Sequence, residues 1–208
     1  MRLFMLLQPK KMTLQNRGIS FFGNEEWAAR KLANSFFGSW PSSDVLTDVV
    51  GAIAKSEIFV GNLQNRLYVE HFETEQLGLT GTCRISRTRK GELVLFQDLS
   101  ILRADKRNCG EGTKIFQRQV ESCQQLGIRR IVMFGRKNRT EWGYYVLPRL
   151  GFDGPIPKEI QSQLPKEFQK TTTLGQLFET IEGRSWWKQN GQTLLWPLIY
   201  RIKSEPQS

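Results

Sequence analysis

The stretch RNCGEGTKIFQRQVESCQQLG, Arg107 to Gly127, places an arginine and two glycines directly ahead of a segment with helical rhythm. Ile115, Phe116, Val120, Cys123 and Leu126 make an apolar stripe, while Lys114, Gln117, Arg118 and Glu121 face outward. Gly127 is placed to stop this helix. The residues just before it, Glu92 to Leu102 (ELVLFQDLSIL), predict a strand, and Arg130 to Phe134 (RIVMF) predicts a short buried one. Strand, glycine turn, helix and strand in that order make a βαβ unit.

Working outward, Arg66 to Phe72 (RLYVEHF) and Leu79 to Arg87 (LTGTCRISR) predict two more strands, and Lys90-Gly91 is a turn signal before the strand at Glu92. Three consecutive strands with short turns suggest an antiparallel meander. Towards the N-terminus, Asn24 to Phe37 and Asp44 to Ala54 each carry apolar residues at helical spacing, and Pro41-Ser42-Ser43 separates them as in a helical hairpin. Beyond the βαβ unit, Thr140 to Leu150 predicts a short helix strained by Gly143 and Pro148 and closed by Gly151-Phe152. A turn-rich linker around Pro155, Pro157 and Pro165 leads to a helix at Thr173 to Ile181, capped by Thr172 or Thr173. Leu194 to Ile202 predicts a last strand, with Pro197 at an edge or a bulge. The pattern divides into an N-terminal helical segment (1–60), a central α/β core (61–155) and a C-terminal segment that completes the domain (156–208).

Composition narrows the chemistry. The chain has 208 residues, enough for one sizeable core. Its three cysteines, Cys83, Cys109 and Cys123, stand in no zinc-like spacing, and His71 is the single histidine, so metal clusters and Cys/His catalysis have little to work with. Free thiols in a reducing cytoplasm are expected. The apolar patch of MRLFMLLQPKKM is too short for a signal-peptide core, and no run approaches membrane-spanning length. The formal net charge is +10, and residues 103–150 hold 11 basic against 4 acidic side chains. Most of the excess therefore falls in the quarter of the chain that contains the glycine stretch, either as an anion site or as a solvated basic helix face.

A strand that enters a glycine turn and then a helix leaves the first amides of that helix without intrahelical acceptors, and the helix dipole favours an anion there. Gly110 and Gly112 remove side chains from the approach, Thr113 and Lys114 add a hydroxyl and a charge, and the planar fork of Arg107 suits anionic oxygens. The stretch lacks the Gly-Lys-Ser/Thr ending of a Walker loop and the third glycine of a dinucleotide fingerprint. On this motif alone, an ordinary strand-to-helix turn and a phosphate cradle both stand.

The order of parts adds to this. Antiparallel strands, Arg107-x-x-Gly110-x-Gly112, an amphipathic helix ending at Leu126-Gly127-Ile128, a short strand and a helix closed by Leu150-Gly151-Phe152 together resemble the GNAT superfamily of acyl-CoA-dependent N-acetyltransferases, over residues 66–153. The resemblance implies a mixed, mostly antiparallel central sheet flanked by helices, and acetyl-CoA as acyl donor to an amine. It assigns backbone groups of Leu99, Ile101 and Leu102 to the pantetheine arm and thioester. The loop Arg107, Asn108, Cys109, Gly110, Glu111, Gly112 and Thr113 would cradle the diphosphate, with Asn138 near the pantetheine. The family's acid is a tyrosine one helical turn before the Gly-Phe stop. That position here is Leu147, whereas counting forward from Asn138 reaches Tyr145, with Tyr144 its neighbour.

Asp98 is the carboxylate well inside the central strand, with Glu70 and Glu73 on a neighbouring one. It either reaches a cleft as a base or serves as a paired structural carboxylate near a strand irregularity. His71 reads as a surface or hydrogen-bonded strand residue. Trp186, Trp187 and Trp196 either stack on a substrate or close a domain edge, and Arg136, Lys137 and Arg139 either reach the 3′-phosphate of coenzyme A or a nucleic acid, or lie in a solvated loop. Three functions follow: an N-acyltransferase, a non-catalytic module that docks its basic face on nucleic acid or a nucleoprotein, and an effector whose two ends make partner contacts.

Overall fold

The computed structural model describes residues 19–22, 25–52, 56–72, 80–101, 110–137, 143–194 and 196–203. Its strands β1 (Ile19–Phe21), β2 (Glu57–Leu63), β3 (Arg66–Phe72), β4 (Thr80–Arg87), β5 (Leu93–Ile101), β6 (Ile128–Phe134) and β7 (Pro197–Arg201) form one sheet in chain order. β1 is parallel to β2, and β2 to β5 are antiparallel. The sheet is mixed, mostly antiparallel and flanked by helices, as the sequence predicts. Among the described residues no helix is long and apolar enough to cross a membrane. The chain divides into two compact units, residues 1–131 with 202–208 and residues 132–201.

In the first unit, α1 (Glu26–Phe37) lies against β2 and β3, and α2 (Ser43–Val49) lies against α3 (Glu111–Gln125). Ser42 caps α2 by accepting from the Val45 amide at 3.3 Å. α2 ends earlier than the predicted helix at Ala54, because Gly51 follows with φ +71°. β2 is a strand the sequence reading did not mark. Its hairpin to β3 turns on Gln64 and Asn65, both with positive φ (53° and 58°), the two-residue geometry that matches strand twist. The β4–β5 hairpin uses the expected Lys90-Gly91 turn, closed by Gly91 donating to the Thr88 carbonyl at 2.9 Å.

One face of β3 to β5 is sealed: Leu67, Val69, His71, Cys83, Ile85, Leu95 and Gln97 are all buried. Gln119, Ser122 and Cys123 are the buried residues of α3. The helix therefore turns a partly polar stripe inward, where the sequence predicts Ile115, Phe116, Val120, Cys123 and Leu126. Hydrogen bonds explain this. Gln119 Nε2 donates to the Val49 carbonyl at 2.9 Å and to Gln97 Oε1 at 3.0 Å, so its amide is satisfied inside the core.

In the second unit, α4 (Gly143–Arg149) ends in the Leu-Gly-Phe stop, where Gly151 has φ +93° and Phe152 is fully buried against the Tyr200 ring. Gly135 permits a close approach: a Cβ there would lie 2.7 Å from Leu194 Cδ1 and 3.1 Å from Tyr144 Cα. The single helix predicted at Thr173 to Ile181 is two. α6 (Leu174–Phe178) starts in a capping box between Thr173 and Gln176. α7 (Ile181–Asn190) starts at Thr180, whose hydroxyl accepts from the Gly183 amide at 3.0 Å. A short α5 (Lys158–Gln161) precedes them, and Pro197 occupies the first position of β7, where its missing amide costs least.

Candidate functional site

The register between β4 and β5 slips at Thr82/Cys83: Cys83 pairs with Gln97, and Thr82 pairs with Leu99. Asp98 is therefore the extra residue of a β-bulge, the device that bends a strand and re-aims its backbone. Two interactions hold it. Outside, Arg84 grips the Asp98 carboxylate in a two-point contact, Nε to Oδ2 at 2.6 Å and a terminal nitrogen to Oδ1 at 2.8 Å. Inside, Gln97 Nε2 donates to the Thr82 carbonyl at 3.4 Å while its oxygen accepts from Gln119. The chain Val49–Gln119–Gln97–Thr82 thus ties the bulge to α2 and α3 through buried amides. The pairing occupies Asp98, whereas the backbone beyond the bulge continues through Leu99 and Ile101, which pair with Thr82 and Thr80.

The start of α3 is open. Gly110 is its N-cap with φ +83°, a left-handed conformation that side chains other than glycine adopt at a cost. Its carbonyl accepts from the amides of Thr113 and Lys114 at 3.1 and 3.2 Å. The amides of Glu111 and Gly112 have no acceptor among the described residues. No described atom lies within 4 Å of a Cβ built on Gly110 or on Gly112, so among the described residues nothing crowds this turn. Glu111 works against one, but its carboxylate is paired with Lys114 Nζ at 2.9 Å. Leu102, Arg107, Asn108, Cys109 and Asn138, which the resemblance assigns to the coenzyme, lie outside the described residues, as do Glu73 and Arg139.

The two tyrosines of α4 differ in what holds them. Tyr144 is buried, its hydroxyl donates to the Lys188 carbonyl at 2.9 Å, and its own carbonyl accepts from Trp187 Nε1 at 3.0 Å. Burial pushes its phenol above the ordinary pKa, with the neighbouring Tyr145 adding to the rise. Tyr145 is half-buried, its ring packs on Phe178, and the cationic ends of Arg149 and Lys188 lie 5.7 and 5.9 Å from the ring centre. Among the described residues its hydroxyl makes no hydrogen bond. Of the two, Tyr145 is the phenol not committed to the fold.

Part of the concentrated positive charge is engaged among the described residues. Arg118 pairs with Asp48 at 3.4 Å, Arg130 with Glu92 at 2.6 Å, and Lys137 Nζ donates to the Gly191 carbonyl while lying over the Tyr144 ring. Trp187 is fully buried, so the RSWW segment contributes packing through that ring. His71 is buried as well, with Gly81 beside its imidazole. Sequence reasoning did not assign Gln97 and Gln119 to the bulge. The signal that marks them is position, since Gln97 continues the buried alternation of Leu93 and Leu95. Among the described residues no group of three or more His, Cys, Asp or Glu could hold a metal ion.

No family model matches the chain, and no curated protein does. Solved structures do. Naa50 of Arabidopsis thaliana, in complex with the bisubstrate analogue CoA-Ac-MVNAL, is similar at 13% identity over 63% of this chain and 78% of that one, with a TM-score of 0.35. N-acetylglutamate synthase of Neisseria gonorrhoeae, complexed with coenzyme A and N-acetyl-glutamate, is similar at 12% over 65% of this chain and 26% of that one, with a TM-score of 0.32. An acetyltransferase of the GNAT family from Staphylococcus aureus Mu50 is similar at 11% over 85% of this chain and 94% of that one, with a TM-score of 0.34.

Proposed function

We propose that this protein is an acyl-CoA-dependent N-acyltransferase, with acetyl-CoA as the donor. The observation that carries the reading is the strand bulge at Asp98 followed in the chain by the open, glycine-capped start of α3. In this reading the amides of Glu111 and Gly112, which have no acceptor among the described residues, bind diphosphate oxygens, and the backbone after the bulge orients the thioester. A neutral amine nitrogen attacks the thioester carbonyl carbon, a C–N bond forms, and the C–S bond breaks. The sulfur leaves as thiolate and takes a proton to become coenzyme A thiol. The acceptor's ammonium loses one proton to bulk water before attack, and the second, lost from nitrogen as the amide forms, passes through solvent to restore the phenol that protonates the sulfur. Tyr145 is the donor to the thiolate in this scheme, because its hydroxyl is uncommitted whereas that of Tyr144 holds α7.

Calorimetry with acetyl-CoA tests the reading. The parent protein is expected to bind, and Gly112→Glu to bind at least a hundredfold more weakly, since it places a carboxylate at the helix N-terminus with room to fit and ordinary helical backbone. An absence of heat with the parent sinks the reading.

The two tyrosines separate on different axes. Tyr145→Phe is expected to lower kcat by roughly a hundredfold with little change in melting temperature, the usual scale for losing a proton donor. Tyr144→Phe removes the part-buried hydrogen bond to the Lys188 carbonyl and is expected to cost about 1 kcal/mol of stability. Thiol release followed by absorbance, alongside thermal unfolding, decides; equal kcat in Tyr145→Phe and parent removes Tyr145 from the chemistry.

A further inference from the structure

The face of β3 to β5 opposite the sealed one is half open. Tyr68, Glu70, Thr82, Arg84 and Phe96 line it with intermediate burial, and Asp98 is exposed. Arg84 is taken by Asp98 through two contacts, and its guanidinium also lies 5.4 Å from the Phe96 ring centre. Glu70 is left with a single hydrogen bond, from the Tyr68 hydroxyl at 2.8 Å, and among the described residues no cation pairs with it. Arg66 shares this face at the far end of β3 and is exposed, and no ion pair joins it to Glu70 among the described residues, so Glu70 is the carboxylate there that Arg84 leaves unpaired.

A half-buried carboxylate with no paired cation among the described residues is free to take a cationic ligand. Here it is held in one orientation by Tyr68 and has aromatic neighbours: Phe59 is its register partner on β2, and the Phe22 ring contacts both Phe59 and Tyr68. A carboxylate bordered by aromatic faces suits an organic ammonium group. Its place in the sheet gives the distance. Glu70 pairs with Thr82, and Thr82 pairs with Leu99 across the bulge, so all three lie on one rung. Two strand spacings separate Glu70 from the Leu99 backbone, about 10 Å.

We propose that Glu70, oriented by Tyr68, binds a second positive charge on the acceptor. The substrate class is then an amine whose reacting nitrogen lies about 10 Å from another ammonium, a long diamine or a polyamine-like chain. The assignment rests on the acyltransferase reading, which puts the thioester beside Leu99. Arg84 does not repel such a ligand, because its charge is neutralised by Asp98.

The probes are 1,8-diaminooctane and octylamine, which have the same length and differ in the second charge. With acetyl-CoA and thiol detection, the parent is expected to favour the diamine at least tenfold in kcat/KM. In Glu70→Gln that ratio is expected to fall towards one, and Tyr68→Phe, which keeps the charge but frees the carboxylate, is expected to lower it several-fold. Unfolding midpoints near the parent's value show that both variants fold. Calorimetry with 1,8-diaminooctane alone gives a readout independent of turnover: binding to the parent that weakens with salt, and at least tenfold weaker binding to Glu70→Gln. Equal turnover of the two amines by the parent, or equal diamine binding by parent and Glu70→Gln, overturns the proposal and leaves the acyltransferase reading standing. If no amine releases thiol and acetyl-CoA gives no heat, the acyltransferase reading falls, and diamine calorimetry alone then decides whether Glu70 is a cation site.

Discussion

As pH falls from 6.5 towards 4, the protein is expected to lose about 3 kcal/mol of folding stability through His71 alone. Burial, only partly offset by the Val50 backbone nearby, pushes this imidazole down from 6.5 to about 4 in the folded state. Between those values the unfolded chain binds a proton that the folded chain refuses. Stability contributed by the neutral imidazole is therefore complete above pH 6.5 and declines with acidification until the folded group also protonates. Asp48 works in the opposite sense: burial raises its carboxyl pKa against the lowering effect of Arg118, so protonation of that group favours the folded state. Comparison with His71→Asn removes this and every other shared contribution. Urea midpoints measured at several pH values from 7.5 to 4.5 should fall more steeply for the parent than for the variant. Parallel slopes would show that His71 is accessible to protons in the folded protein.

That histidine also shows what the sequence allows to be read. Arg66 to Phe72 is legible as a strand, and His71 shares parity with Leu67 and Val69, both fully buried, so its burial follows from the alternation. A polar residue type drew it towards the surface reading instead. The same bias hid Gln119, whose place on the inward stripe of α3 is disclosed by helical spacing from Cys123 but justified only by partners on α2 and β5, far away in the chain. The bulge is less legible still. A carboxylate inside the strand at Asp98 hints at an irregularity, and the structure pairs it with Arg84 at the bulge, but the extra position itself is set by the register of two strands, and strict alternation run through Asp98 assigns faces that the slip interrupts. What the sequence does carry are local signals: Gly110 and Gly151, both with positive φ where the turn and the helix stop were expected, and Pro197 at a strand start. α7 was missed because Thr180 ends one helix and caps the next within a stretch of continuous helical propensity.

Replacing Trp187 with alanine is expected to destabilise the protein by about 3–5 kcal/mol, the range for emptying a fully buried aromatic site. Two effects combine. The cavity forfeits the packing of the indole against its surroundings in α7, where a Cβ on Gly191 would already lie 2.8 Å from Trp187 Nε1. The Tyr144 carbonyl, which accepts from that nitrogen at 3.0 Å, is left inside the protein without a donor. Trp187→Phe separates the two, keeping most of the ring volume while removing the N–H, and is expected to cost about 1–2 kcal/mol. Because the lost hydrogen bond is made by the residue next to Tyr145 in α4, kcat for thiol release should fall in Trp187→Phe further than its stability loss alone accounts for at temperatures well below unfolding. Denaturation followed by circular dichroism, with activity measured on the folded variant, resolves the two contributions. A cost below about 1 kcal/mol for Trp187→Ala would mean that the indole is not part of the core, and would return the tryptophan pair to the ligand-stacking role that the sequence leaves open.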